Sequence, residues 1–94
     1  DFAYHVVSDA AVDPEPGRDV KVSVTSDMGN KEIAKLLESR GLITDSRTFQ
    51  IQLKLTDYDD KLKPGTYELN TSMTPRRIMK ILAGEEKTEE DEES

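Results

Sequence analysis

Ninety-four residues hold one small domain, and 34% hydrophobic with 5% aromatic content leaves it a modest, mostly aliphatic core. The net charge of -7 sits largely between Glu85 and Glu93, so the rest is nearly neutral and lacks the clustered cationic face that nucleic-acid binding by counterion release requires. The absence of cysteine excludes disulfides and thiolate metal sites, and no apolar run approaches the roughly 20 residues of a membrane-spanning helix.

Residues 2–7 are apolar enough for a short helix or strand and too few to decide between them. Residues 13–17, Asp-Pro-Glu-Pro-Gly, break regular structure. Proline fixes its backbone torsion and lacks a donor, and glycine admits positive torsions. Residues 1–17 therefore read as a linker and 18–84 as the domain. Residues 19–25 alternate as a strand, with Val20, Val22 and Val24 on one face. A polar turn leads into a helix over 30–40, capped by Asp27 or Asn30 and buried through Ile33, Leu36 and Leu37. Gly41 stands where a left-handed stop belongs.

Leu42 and Ile43 return to the core. Asp45 or Ser46 opens a second helix to about residue 56, with Phe49, Leu53 and one of Ile51 or Leu55 inward. Residues 50–55 also alternate apolar and polar, which keeps a strand as the competing reading. Residues 58–61 make a charged loop, and Lys63-Pro64-Gly65-Thr66 spells a type II turn. A second strand follows over 66–70. Ser72 or Thr74 starts the last helix, with Pro75 in its first turn, Ile78, Met79 and Leu82 inward, and Gly84 at its end. The like-charge run over 85–94 is expected to stay disordered.

One unit occurs twice, 45 positions apart. Val22-Ser23-Val24, Met28, Ile33, Lys35 and Leu37 return as Tyr67-Glu68-Leu69, Met73, Ile78, Lys80 and Leu82. The repeat carries a switch from period two to a period near 3.6, so it repeats structure and not only letters. The same pattern is also what any strand–turn–helix unit produces.

No catalytic set assembles from these residues. Asp57, Asp59 and Asp60 are neighbours, but a glycosidase needs two carboxyls at a fixed separation with one in an apolar shell, and a charged loop supplies neither. They also lack the glycine and distal glutamate of a calcium loop. His5 has no cysteine or second histidine for a zinc site or a nucleophile–base pair. No nucleophile elbow or phosphate loop is present, and no cofactor is implied. Arg76, Arg77 and Lys80 read as a solvated helix face. Leu42, Ile43, Met73 and Tyr58 are candidates for a protein-binding patch or for partial core burial. The acidic run reads as a solubilising segment or as a docking segment for a basic partner.

Glu32-Ile33-Ala34-Lys35-Leu36-Leu37, Gly41-Leu42-Ile43, Phe49, Lys63-Pro64-Gly65-Thr66-Tyr67-Glu68-Leu69 and Met73-Thr74 before Ile78 and Leu82 follow one another in an order that resembles the N-terminal module of the YceG-like family. These are the endolytic murein transglycosylases of bacterial cell walls, and the resemblance covers about two thirds of the chain, residues 22–82. It implies an α+β, LysM-like fold, strand–helix–helix–strand with an additional C-terminal helix. It implies a place on the extracytoplasmic face of the cell membrane behind a single N-terminal anchor upstream of Asp1, with peptidoglycan glycan strands and cell-wall proteins as partners. The family's catalytic glutamate belongs to a separate C-terminal domain, so no residue here inherits a lyase role.

LysM-like modules bind glycan in a shallow groove between the turn after the first strand and the turn before the second. The resemblance therefore points to Thr25, Ser26, Asp27, Met28, Gly29 and Asn30 on one side and Lys63, Pro64, Gly65 and Tyr67 on the other. Backbone amides and short polar groups there suit N-acetyl groups, and the same residues are ordinary turn formers. Asp27 stands where the family usually has glycine, and Gly29 lies where a small hydroxyl residue usually caps the first helix. Those departures favour the alternative of a protein–protein adaptor in a wall-synthesis or sporulation complex. A third reading is the front piece of a longer murein lyase.

Overall fold

A computed structural model describes residues 10–86. The readings of 2–7, of His5 and of the acidic run beyond 86 lie outside the described residues. Two strands and three helices follow in the order β1 (Asp19–Val24), α1 (Asn30–Ser39), α2 (Ser46–Leu55), β2 (Gly65–Asn70) and α3 (Pro75–Leu82). The architecture is α+β, strand–helix–helix–strand with a further helix. The segment over 50–55 is helical, because the Asp45 cap and inward-facing Phe49 and Leu53 fix a helical period that the apolar–polar alternation does not override.

The strands pair antiparallel, with Asp19 opposite Asn70, Val22 opposite Tyr67 and Val24 opposite Gly65. Val20, Val22 and Val24 are buried, and Asp19, Lys21 and Ser23 between them are exposed. One face of the ladder is therefore core and the other water. Helix α1 packs on β1 and against α2, and α3 packs on β2. Phe49, Leu37, Leu53, Leu69, Ile78 and Leu82 fill the centre. Each contributes about 1.5–3 kcal/mol by leaving water. Leu42 and Ile43, at 1% and 6% exposure, belong to this core and not to a surface patch; Met73 and Tyr58 pack half-buried against it. Leu55 is 65% exposed, so neither strand-like alternation nor the helix turns it inward.

All three helices close the same way. Gly41 donates to the Glu38 carbonyl and Leu42 to that of Leu37; Asp57 donates to Lys54 and Tyr58 to Leu53; Gly84 donates to Ile81 and Glu85 to Lys80. This paired pattern satisfies carbonyls that a helix end leaves open, and it needs a left-handed residue just past the end. Gly41 and Gly84 supply it at φ 76° and 80°, and Asp57 does so at φ 62°.

The helix starts differ from one another. Asp45 caps α2 by accepting from the Arg47 N–H at 3.3 Å and the Thr48 hydroxyl at 2.7 Å. The Thr48 bond is the main reason its carboxyl titrates below the usual aspartate value. Thr74, not Ser72, caps α3. Neither Asp27 nor Asn30 caps α1: Gly29 occupies that position, and the Glu32 carboxylate reaches back to its N–H at 2.9 Å. Asp27 instead accepts from the Thr25 hydroxyl, and the Asn30 amide donates to the Asp59 carbonyl. The expected type II turn is absent as well. Gly65 has φ 150°, far from the roughly +80° of that turn, because it is already the first paired residue of β2.

Residues 13–18 lie against 70–72. Asp13 donates to the Thr71 carbonyl at 3.1 Å, and Thr71 and Arg18 exchange two bonds, one through the Thr71 hydroxyl at 2.8 Å. That hydroxyl is the one buried polar side chain among the described residues, and it is satisfied. Gly17 has φ 59°, and a Cβ there would stand 2.2 Å from the Asn70 side-chain oxygen. Only glycine fits both the torsion and the approach.

The repeat has a three-dimensional meaning. Val22 and Tyr67, 45 positions apart, face each other across the ladder. An axis through that pair, normal to the sheet, exchanges the two strands. Ile33, Ala34 and Leu37 of α1 and their counterparts Ile78, Met79 and Leu82 of α3 are all buried.

Candidate functional site

Because Val24 pairs with Gly65, the chain leaving β1 and the chain entering β2 meet at one end of the ladder. The structure therefore brings together the two segments named from the sequence, 25–30 and 63–67. They form an open rim. Thr25, Ser26, Asp27 and Gly29 are exposed on one side, and Lys63, Pro64 and Gly65 on the other. Met28 is half-buried and packs on the core beneath the rim, as Tyr67 does from the opposite strand.

Several polar groups of the rim are already engaged. Met28 donates its backbone N–H to Thr25 at 3.1 Å, which closes the first turn. The Asn30 amide is held by Asp59, so the loop after α2 braces this turn from the side. Lys63 donates its N–H to the last turn of α3, at the Leu82 carbonyl, 2.9 Å. The Tyr67 hydroxyl donates to the Lys63 carbonyl at 2.7 Å. Burial of that ring raises the phenol above its ordinary pKa, so Tyr67 stays a neutral donor well past neutrality. What the rim leaves outward is the exposed backbone of Ser26, Asp27 and Pro64, the Ser26 hydroxyl and the Lys63 side chain. Such a surface can pair with amide and hydroxyl groups of an extended polar ligand. It encloses no reacting bond.

Asp57, Asp59 and Asp60 are exposed. Asp57 closes α2, and Asp59 offers its carbonyl to Asn30. Among the described residues no group of three or more acids and histidines converges as a metal site would require. Arg76 and Arg77 are exposed on α3, and Arg77 pairs with Glu86 at 2.8 Å. Glu85 accepts from the Tyr58 hydroxyl at 2.5 Å, a contact that raises the Tyr58 pKa.

A cleft of about 300 Å³ lies away from the rim, beside Ala10, Ala11, Ile43, Thr48, Phe49, Gln52 and Pro75. Sequence reasoning did not anticipate it. Its walls come from the segment before β1, the start of α2 and the start of α3, which share no local motif. None of the rim residues lines it.

The sequence model of the YceG-like family matches residues 22–92. Among solved structures, a putative YceG-like protein from Listeria monocytogenes superimposes with a TM-score of 0.69 at 22% identity. The match covers 77% of this chain and 23% of that one, so the chain spans about a quarter of its length. At that identity the likeness concerns the fold. No curated protein matches the chain.

Proposed function

The chain belongs to the YceG-like family, and on that premise we propose that residues 18–84 are a non-catalytic, peptidoglycan-associated module that contacts glycan strands along 25–30 and 63–67. Family membership supports a cell-wall-related function. The observation that carries the finer reading is the Val24–Gly65 pair, which draws both segments to one open edge. Exposed backbone at that edge suits N-acetyl groups, and the apolar Met28 and Tyr67 beneath suit their methyls. In this reading the protein sits on the extracytoplasmic face of the membrane, held by an anchor upstream of residue 1. Residues 85–94 serve as an acidic tail.

Titration with N-acetylglucosamine oligomers and murein fragments, read by amide shifts, tests the proposal. Shifts confined to 25–30 and 63–67 at millimolar ligand are expected. A spectrum unchanged at those amides overturns it. The engagement of Asn30 by Asp59 and of Tyr67 by Lys63 favours the second reading, a protein–protein adaptor within a wall-synthesis complex, because two side chains of the rim are committed internally. Retention of a wall enzyme on the immobilised module, with no glycan-induced shifts, is the outcome that reading requires.

A further inference from the structure

The loop between α2 and β2 touches both sides of the rim. Its Asp59 carbonyl accepts the Asn30 side-chain amide, which belongs to the side at 25–30. Further along, Lys63 is itself part of the other side, and its N–H donates to the Leu82 carbonyl at 2.9 Å. The Tyr67 hydroxyl donates to the Lys63 carbonyl at 2.7 Å and reaches that of Leu82 at 3.4 Å, so β2, the loop and the end of α3 meet at one point. Between Asp59 and Lys63 the Lys61 N–H donates to the Tyr58 carbonyl at 3.1 Å and folds the loop into a turn. A displacement at Tyr58 is therefore passed to both sides.

Tyr58 is also where the end of α3 takes hold. Its ring packs half-buried on the core, as Leu62 does further along the loop. Its hydroxyl donates to the Glu85 carboxylate at 2.5 Å, and a bond to a charged acceptor is of the stronger kind. Glu85 is itself held. Its N–H and that of Glu86 both donate to the Lys80 carbonyl, at 2.8 and 3.2 Å, and the Glu86 carboxylate pairs with Arg77 at 2.8 Å. Gly84, at φ 80°, makes the reversal that brings Glu85 to the loop. A Cβ on Gly84 would stand 3.3 Å from the Lys63 ammonium nitrogen, so the Lys63 side chain lies along the same reversal. The acceptor offered to Tyr58 is thus placed by α3, and the bond joins a helix end to the loop that spaces the rim.

We propose that Tyr58 and Glu85 are positioning residues for the rim: their bond holds residues 58–63 so that Asn30 and Lys63 stand at a fixed separation. The effect on a ligand rests on the glycan-contact reading above, whereas the positioning does not. In that reading the end of α3 governs how well residues 25–30 and 63–67 fit an extended ligand, although neither Tyr58 nor Glu85 belongs to the rim.

Two resonances of the ligand-free chain report the two sides: the Asn30 side-chain amide and the Lys63 backbone amide. Tyr58→Phe removes the hydroxyl and keeps the ring on the core, and Glu85→Ala removes the acceptor and leaves the ring in place. Each variant is expected to shift both resonances and to speed their exchange with solvent several-fold. The double variant is expected to add nothing further, since both changes delete one bond. Glu85→Gln, whose amide oxygen still accepts, is expected to match the unsubstituted chain. Changes confined to the neighbours of residues 58 and 85, or reaching only one side of the rim, overturn the proposal, because core packing of Tyr58 and Leu62 then suffices to place the loop. Glu85→Gln behaving as Glu85→Ala also overturns it, because charge and not the bond is then at work. Titration of the same variants with N-acetylglucosamine oligomers is expected to show binding weakened several-fold in Tyr58→Phe and Glu85→Ala and kept in Glu85→Gln. Equal affinity in Tyr58→Phe and the unsubstituted chain overturns the effect on ligand. Should the unsubstituted chain bind no oligomer, the glycan reading fails, and the two ligand-free resonances still decide the positioning.

Discussion

The unit β1–α1 and the unit β2–α3 bury matching helix positions and differ in their strands and in how their helices start. The first has a strand of strict alternation, three valines in and three polar residues out, followed by a helix that starts without a capping side chain. The second has a strand whose only fully buried residue is Leu69, followed by a helix with Thr74 as cap and Pro75 in its first turn. At α1 the Glu32 side chain reaches back to the cap N–H; at α3 the cap side chain reaches forward to the Arg77 N–H at 3.3 Å. A full capping box contains both bonds. Each unit keeps one of them. The lesson is that the core dictates the inward positions of both units, while solvent-exposed ends are free to find separate solutions.

Truncation of the paired core leucines tests this most severely. Leu37 and Leu82 are equivalent and both 0% exposed. Each change to alanine is expected to cost about 3 kcal/mol, with one cooperative urea transition in either variant. Two separated transitions, or losses that differ several-fold, would mean that the units do not share one core.

Gly17→Ala comes next, because it probes what only one end of the ladder possesses. The segment 13–18 covers the Asp19–Asn70 end, and the Val24–Gly65 end is open. A methyl at Gly17 meets Asn70 and Ser72 in a left-handed torsion, so a loss of roughly 2 kcal/mol is expected. Amide shifts should gather at 13–18 and 70–72. Shifts reaching 25–30 would show that the two ends are coupled after all.

The smallest effects separate the two caps. Thr74→Ala is expected to lower stability by about 1 kcal/mol, and Glu32→Ala by about 0.5 kcal/mol, since a side chain reaching back to a single exposed N–H gains little over water. Equal losses in chemical denaturation would erase the distinction drawn between the units.

Much of this fold could be read along the chain. Period-two valines, the glycines at 41 and 84, and the Thr74-Pro75 start are local signals, and each governs structure within a few residues of itself. The reading failed where a distant partner decides. Asn30 was expected to cap its own helix and is drawn off by Asp59, 29 residues away. Gly65 was expected in a tight turn and is claimed by Val24 across the ladder. Leu55 was a candidate for the core and stands exposed at the end of α2. The rim was named through the resemblance to the YceG-like module, and the antiparallel register is what brings its two segments together. The engagement of Tyr67 by Lys63 was not legible, because it depends on how α3 returns to the start of β2. The cleft had no local signal at all.

The hold of residues 13–18 on Thr71 fastens one pole of the ladder, and the Lys63–Leu82 bond fastens α3 to the other. The strand between these poles measures about 20 Å at 3.3 Å per residue. Residues 13–18 and the end of α3 are thus fixed at opposite ends of the same strand pair, so the first and last described segments of the domain are joined through one ladder.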